Sequence, residues 1–184
     1  SVVPLLIVSG VVYFQNLKMM KYAGEETFKL GLADLDHIAQ NVYAMCQAQE
    51  EVLQQSVSNN LNVARKLLQQ AGGVRIAPEE TVTWEAVNQA TKSSSSISLP
   101  KMYVGDTWLG QNRDMNTPSP IVDELKQLVG GSCTIFQRMN GTGDMLRVCT
   151  NVPKSQTERA IGTFIPRTQP DGSANPVVSA VLSK

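Results

Sequence analysis

The chain has 184 residues, 42% of them hydrophobic, which suits one domain with an appendage and supplies enough apolar material for a real core. Its 16 basic and 16 acidic residues leave a formal net charge of zero, so neither a broad electrostatic grip on nucleic acid nor a polybasic hold on anionic lipid is expected. Three cysteines without a Cys-x-x-Cys make neither a disulfide framework nor a metal-ligand cluster.

Residues 1–17 carry no charge and include the apolar run from Val2 to Phe14. This is shorter than the ~20 residues a spanning helix needs. It also lacks the basic leader and Ala-x-Ala-like cleavage site of a signal peptide. The stretch reads as the second half of a transmembrane helix that begins upstream, with Tyr13 as interfacial anchor and Lys18 and Lys21 marking the exit from the bilayer. A buried N-terminal helix is the alternative.

Residues 18–73 form the next segment. No proline occurs from Gln15 to Ala71, and Ala, Leu, Gln, Glu, Met and Lys dominate, so one long membrane-proximal helix is predicted. Leu35, Ile38, Val42 and Met45, then Leu53, Val57, Leu61, Ala64 and Leu68, keep a three-four spacing. At 1.5 Å per residue such a helix is roughly 85 Å long, so part of it should stand clear of the fold as a stalk or as one half of a homodimer. The same stripe is equally accounted for by packing on the domain's own sheet. Gly24 and Gly31 mark where it would bend or break, and Gly72-Gly73 is its stop.

From residue 74 to 184 the period turns β-like. Val74 to Ile76 and Thr81 to Thr91 read as a hairpin or strand pair, Lys92 to Ser96 as an exposed polar turn, and Ile97 to Leu109 as a strand with a turn at Gly105-Asp106. Ser119-Pro120 reads as N-cap and first residue of a short helix ending at Gly130-Gly131. Ser132 to Met139 and Met145 to Val152 flank Asn140-Gly141-Thr142-Gly143-Asp144 and form the central antiparallel hairpin. Arg159 to Ile165 is a short apolar run ended by Pro166, and Asn175-Pro176 opens a last helix. The fold class is therefore α+β: a long N-terminal helix packed on a PAS-like antiparallel sheet, with four strands read where such a sheet needs five.

Enzymatic chemistry finds no support. His37 is the single histidine, beside Asp34 and Asp36 on the long helix, so no triad, zinc site or c-type haem can be assembled, and no cofactor is expected. Gly141 and Gly143 sit in a hairpin turn, where a Gly-x-Gly cradles no phosphate. Cys133 and Cys149 would bridge only if directly opposite; isolated thiols are the preferred reading. A small carboxylate needs a cation, a few polar donors and apolar walls. Lys101, Arg138 and Arg147 supply charge, Thr150 and Asn151 polar contacts, and Tyr103, Trp108 and Phe136, with Trp84, the walls. Arg138 and Trp108 rank highest. The plainer readings are solvent-facing strand positions for the arginines and core packing for the tryptophans.

Several runs in fixed order carry a family resemblance: Gly31 to Ile38, Asn60 to Arg65, Thr83 to Gln89, Leu99 to Gly110, Cys133 to Asn140, Thr150 to Val152, Arg159 to Thr163, and Pro170 to Val178. They resemble bacterial Cache sensor domains, of the fused type found in methyl-accepting chemotaxis receptors and sensor kinases. The resemblance implies a periplasmic domain on the inner membrane that binds a small organic acid or amino acid and relays a helix shift to a cytoplasmic output. It also implies an aromatic-rich strand and a second membrane helix beyond Lys184, so the sensor unit is expected to be incomplete. A ligand-free dimerisation or partner-binding module of a sensor kinase is the alternative.

Overall fold

The structure is a computed structural model that describes residues 3–183, with side chains from residue 7; the start of the predicted membrane segment and the last residue of the chain fall outside them. Two compact units divide the chain, residues 1–56 and 57–184. Helix α1 (Val3–Gln70) is uninterrupted, so the break anticipated at Gly24 or Gly31 does not occur. The surrounding helix formers outweigh about 1 kcal/mol per glycine. Every described side chain from residue 11 to 56 is exposed, the large apolar residues of the stripe included. Among the described residues no helix is long and apolar enough to cross a membrane.

In the second unit, α1 ends as the sequence requires. The Gly73 N–H returns to the Leu68 carbonyl at 2.7 Å, with Gly72 and Gly73 both at positive φ. Six strands follow: β1 (Val74–Asn88), β2 (Ser94–Val104), β3 (Thr107–Trp108), β4 (Thr134–Arg138), β5 (Met145–Thr150) and β6 (Thr163–Ile165). Their order across the sheet is β3-β2-β1-β6-β5-β4. All pairings are antiparallel except β1 with β6, which makes the sheet mixed. The expected α+β, PAS-like architecture holds, with corrections.

Residues 74–88 are one bulged strand rather than a pair, the register slipping between Ala77 and Thr81. Ser94 to Ser96 belong to β2, opposite Glu85 to Val87, so the turn is shorter than predicted. Asn88 builds it by accepting the N–H groups of Ala90 and Thr91. The strands missing from the sequence count are β3, two residues long, and β6, which fills the gap between β1 and β5.

Helix α2 (Val122–Val129) begins two residues later than Ser119-Pro120 suggests. Ile121 takes φ 65° and ψ −55°, and the Val122 N–H reaches the Pro120 carbonyl at 2.7 Å, a γ-turn of the rarer hand. Ser119 is not the cap: its N–H donates to Asp123 and its hydroxyl meets Cys149 Sγ. Gly130 closes α2 in the left-handed conformation, and Asn175 caps helix α3 (Pro176–Leu182), both as predicted.

The core joins Leu67 from α1, Trp84 and Ala86 from β1, Leu99 from β2, Leu146 and Val148 from β5, and Val122 and Leu125 from α2. Burying each leucine is worth about 1.5–3 kcal/mol. Only the last turns of α1 share in this, through Leu67 with Val63, Ala64 and Leu68 beside it.

Candidate ligand-binding face

The eight predicted residues fall into three places. Lys101 and Tyr103 on β2 and Trp108 on β3 gather at one sheet edge around Glu80, which the β1 bulge turns toward them. Tyr103 Oη and Lys101 Nζ donate to Glu80 Oε2 at 2.7 and 3.0 Å. Lys101 lies 5.1 Å from the Trp108 ring centroid, and the Arg75 guanidinium covers Tyr103 at 4.3 Å. The hydrogen bonds from Tyr103 and Lys101 hold the Glu80 carboxyl below its usual range, and Glu80 raises both partners in return. Lys101 therefore already has its counter-ion, and Trp108 is exposed where core packing was the plainer reading.

Thr150 and Asn151 are buried and fully engaged. Asn151 donates to the carbonyls of Val122 and Gly131 and accepts the Cys133 N–H, while the Thr150 hydroxyl donates to the Cys133 carbonyl. They tie β5 to α2 and to the start of β4. Ile135, not Cys133, lies opposite Cys149, and all three thiols are free. Burial pushes the Cys133 and Cys149 thiols up, which keeps them protonated. Trp84 is core, with its indole N–H buried and without a hydrogen-bond partner.

Phe136, Arg138 and Arg147 share one face of the sheet. Phe136 pairs with Arg147 and Arg138 with Met145, which in turn pairs with Ile165 on β6. Phe136, Arg138, Met145 and Ile165, with Val178 and Leu182 of α3, line a groove of about 420 Å³; Arg147 is not among its lining residues and adjoins it through the Phe136 ring. Arg138 is exposed and donates to the Asn140 and Gly141 carbonyls of its own turn, so the hairpin consumes it. Arg147 is different. Its Nη1 donates to the Ala160 carbonyl at 3.2 Å and its guanidinium sits 5.7 Å from the Phe136 ring centroid. Among the described residues its buried Nε finds no hydrogen-bond partner and its guanidinium joins no ion pair. Burial works against the Arg147 charge, yet a guanidinium stays protonated. An unmade hydrogen bond to such a group costs about 1–3 kcal/mol.

One residue that sequence reasoning left unranked organises the surrounding loops. Arg159 is 1% exposed and bonds both carboxylate oxygens of Asp123 at 2.9 and 2.8 Å. It also donates to the carbonyls of Asp114, Met115, Thr117 and Thr150. Burial pushes the Asp123 carboxyl up, but hydrogen bonds from Arg159 and from the Ser119 N–H outweigh it and leave it below its usual range. A charge standing inside the apolar run 159–165 was the available signal.

The long helix and the mixed PAS-like sheet agree with the sequence comparison, in which a model of the Cache 3/Cache 2 fusion domain matches residues 23–184. The chain belongs to that family. No curated protein and no solved structure matches it. Cache domains are extracytoplasmic small-molecule sensors of bacterial receptors and are sensory rather than catalytic, which gives this Cache unit its functional class. Among its described residues no three His, Cys, Asp or Glu side chains converge as metal ligands.

Proposed function

We propose that this Cache domain is the periplasmic sensor of a transmembrane chemoreceptor, and that it binds a small organic acid or amino acid through Arg147. The observation that carries this reading is the half-buried Arg147 guanidinium, which has no carboxylate partner among the described residues and leaves Nε without a hydrogen bond. A carboxylate supplies both the missing charge and the missing acceptor. Phe136 and the aliphatic wall from Met145, Ile165 and α3 provide the apolar side that small-ligand sites use.

Helix α1 suits the relay, because Leu67 in its last turns is part of the core that backs the sheet. The apolar stripe of α1 is exposed at Leu35, Ile38, Val42, Met45 and Leu53, which supports a homodimer through this helix. The uncharged residues 1–17 are, on this reading, the part of the chain that meets the inner membrane.

A thermal-shift panel of small carboxylates and amino acids tests the proposal. At least one should raise the melting midpoint of the wild type, and Arg147→Gln should lose the shift while Arg138→Gln keeps it. A panel that moves nothing, or an Arg147→Gln variant that shifts like wild type, contradicts the reading.

A further inference from the structure

We propose that the groove between the central hairpin and α3 takes the aliphatic chain of an anionic amphiphile, a fatty acid long enough to lie along the helix. The proposal does not rest on Arg147, which is not among the lining residues. At about 420 Å³ the groove falls within the ~300–1,000 Å³ of ligand pockets, and among its lining residues Arg138 alone is charged. A chain without polar atoms suits such a lining, because it leaves no donor or acceptor unpaired.

The walls set the shape of the occupant. Helix α3 is 1% exposed at Val178, which seats it on the hairpin, whereas Val177 and Val181, one turn apart, line the groove and are 61% and 60% exposed. At the other end of α3, Leu182 Cδ1 lies 2.6 Å from where a Gly143 Cβ would be, so a glycine at 143 lets the helix close on the Asn140 to Asp144 turn. From Leu182 back to Val177 the groove follows α3 for about 8 Å. On the opposite wall it follows β4 from Arg138 to Phe136 for about 7 Å. Two walls of similar length make a slot for an extended chain, and Met145 on its floor adapts to the chain's thickness.

The end at the turn is positive. Arg138 donates through Nε and Nη2 to the Asn140 and Gly141 carbonyls, which fixes the guanidinium and leaves it further N–H donors. Arg167 reaches the same turn, its Cδ and Nη1 lying 3.5 and 3.7 Å from the Gly143 Cβ position, beside Leu182. Asp144 is the acid of this turn, and its carboxylate accepts from Asn140 Nδ2 and from the Arg167 N–H. Among the described residues neither guanidinium joins an ion pair, so two cations stand against one anion. An anionic head at the turn and an apolar tail running toward Phe136 answer both features. A short acid leaves most of the slot wet and should not use it.

Isothermal titration of the full chain with butyrate, hexanoate, octanoate and octanol tests the proposal. Each buried CH₂ adds up to about fourfold in affinity, so octanoate should bind at least about fivefold tighter than hexanoate. Val181→Asp, at an exposed position, should weaken octanoate at least about tenfold, and Val177→Ser should weaken it in the same direction. Arg167→Gln should weaken octanoate more than octanol. Affinity that does not rise with chain length overturns the proposal. So does octanoate bound equally by wild type and Val181→Asp, which would place it on the exposed stripe of α1. Sedimentation that shows self-association lost in Val181→Asp and undisturbed by octanoate would give the groove to a second copy of the chain and overturn the ligand assignment.

Discussion

Replacing Arg159 with alanine removes the side chain that fastens four segments together. It withdraws both bonds to Asp123 and those to four carbonyls, from a side chain that is 1% exposed. Breaking a buried ion pair by removing one partner costs about 3–5 kcal/mol, and each stranded carbonyl adds about 1–3 kcal/mol if it stays dry. Asp123 keeps 27% of its side-chain exposure, so water reaches it and the contributions do not simply add. The expected loss is about 4 kcal/mol, or roughly 8–16 °C in melting midpoint for a chain of this size. Urea unfolding followed by tryptophan fluorescence is the suitable assay, because buried Trp84 reports on the sheet while α1 dominates the far-ultraviolet signal. Asp123→Asn in the Arg159→Ala background should cost at least about 1 kcal/mol less than it does alone. A loss below about 1 kcal/mol in Arg159→Ala, with additive behaviour in the double variant, would refute the role given to this pair.

Acid should weaken the same anchor. The Asp123 carboxyl titrates below its unfolded value near about 3.9, so its contribution is complete above that pH and disappears as pH falls through the folded value. Urea midpoints measured between pH 6 and 3 should fall more steeply below about pH 4 in the wild type than in Asp123→Asn. Gly105→Ala should cost about 2 kcal/mol or more, since a Cβ at φ +55° meets the Ala71 carbonyl. Gly130→Ala, at φ +72° with nothing nearby, should cost only about 1 kcal/mol; equal costs would remove the packing argument. Cys46 lies on α1 within about 20° of Leu35 and Leu53 on a helical wheel and is exposed. Mild oxidation should therefore give a disulfide-linked dimer that Cys46→Ser abolishes, and a chain that stays monomeric under oxidant would speak against pairing through the stripe.

Much of the fold was legible because periodicity and turn chemistry act locally. The proline-free helix, the Gly72-Gly73 stop, the Asn140 to Asp144 turn and the Asn175 cap each follow from neighbouring residues alone. What escaped depends on partners distant in sequence. Strand β6 is three residues long and exists because β1 and β5 lie on either side of it. Helix α2 starts late because Arg159 and Ser119 fix the Asp123 carboxylate, and no local pattern shows that the partner of Asp123 is 36 residues away. For the candidate site the sequence offered cations, polar donors and aromatic walls, but residue type does not reveal which cation is already neutralised. Lys101 has Glu80 and Arg138 has its own turn, whereas Arg147 has neither, a difference that only tertiary contacts display.

The most direct measurement of the central claim is the position of a bound acid, read from a crystal structure grown with saturating succinate. One carboxylate should lie on the face shared by Phe136 and Arg147, with an oxygen accepting from Arg147 Nε. Succinate seated instead among Lys101, Tyr103 and Trp108, or an Arg147 Nε still without an acceptor, would contradict the account.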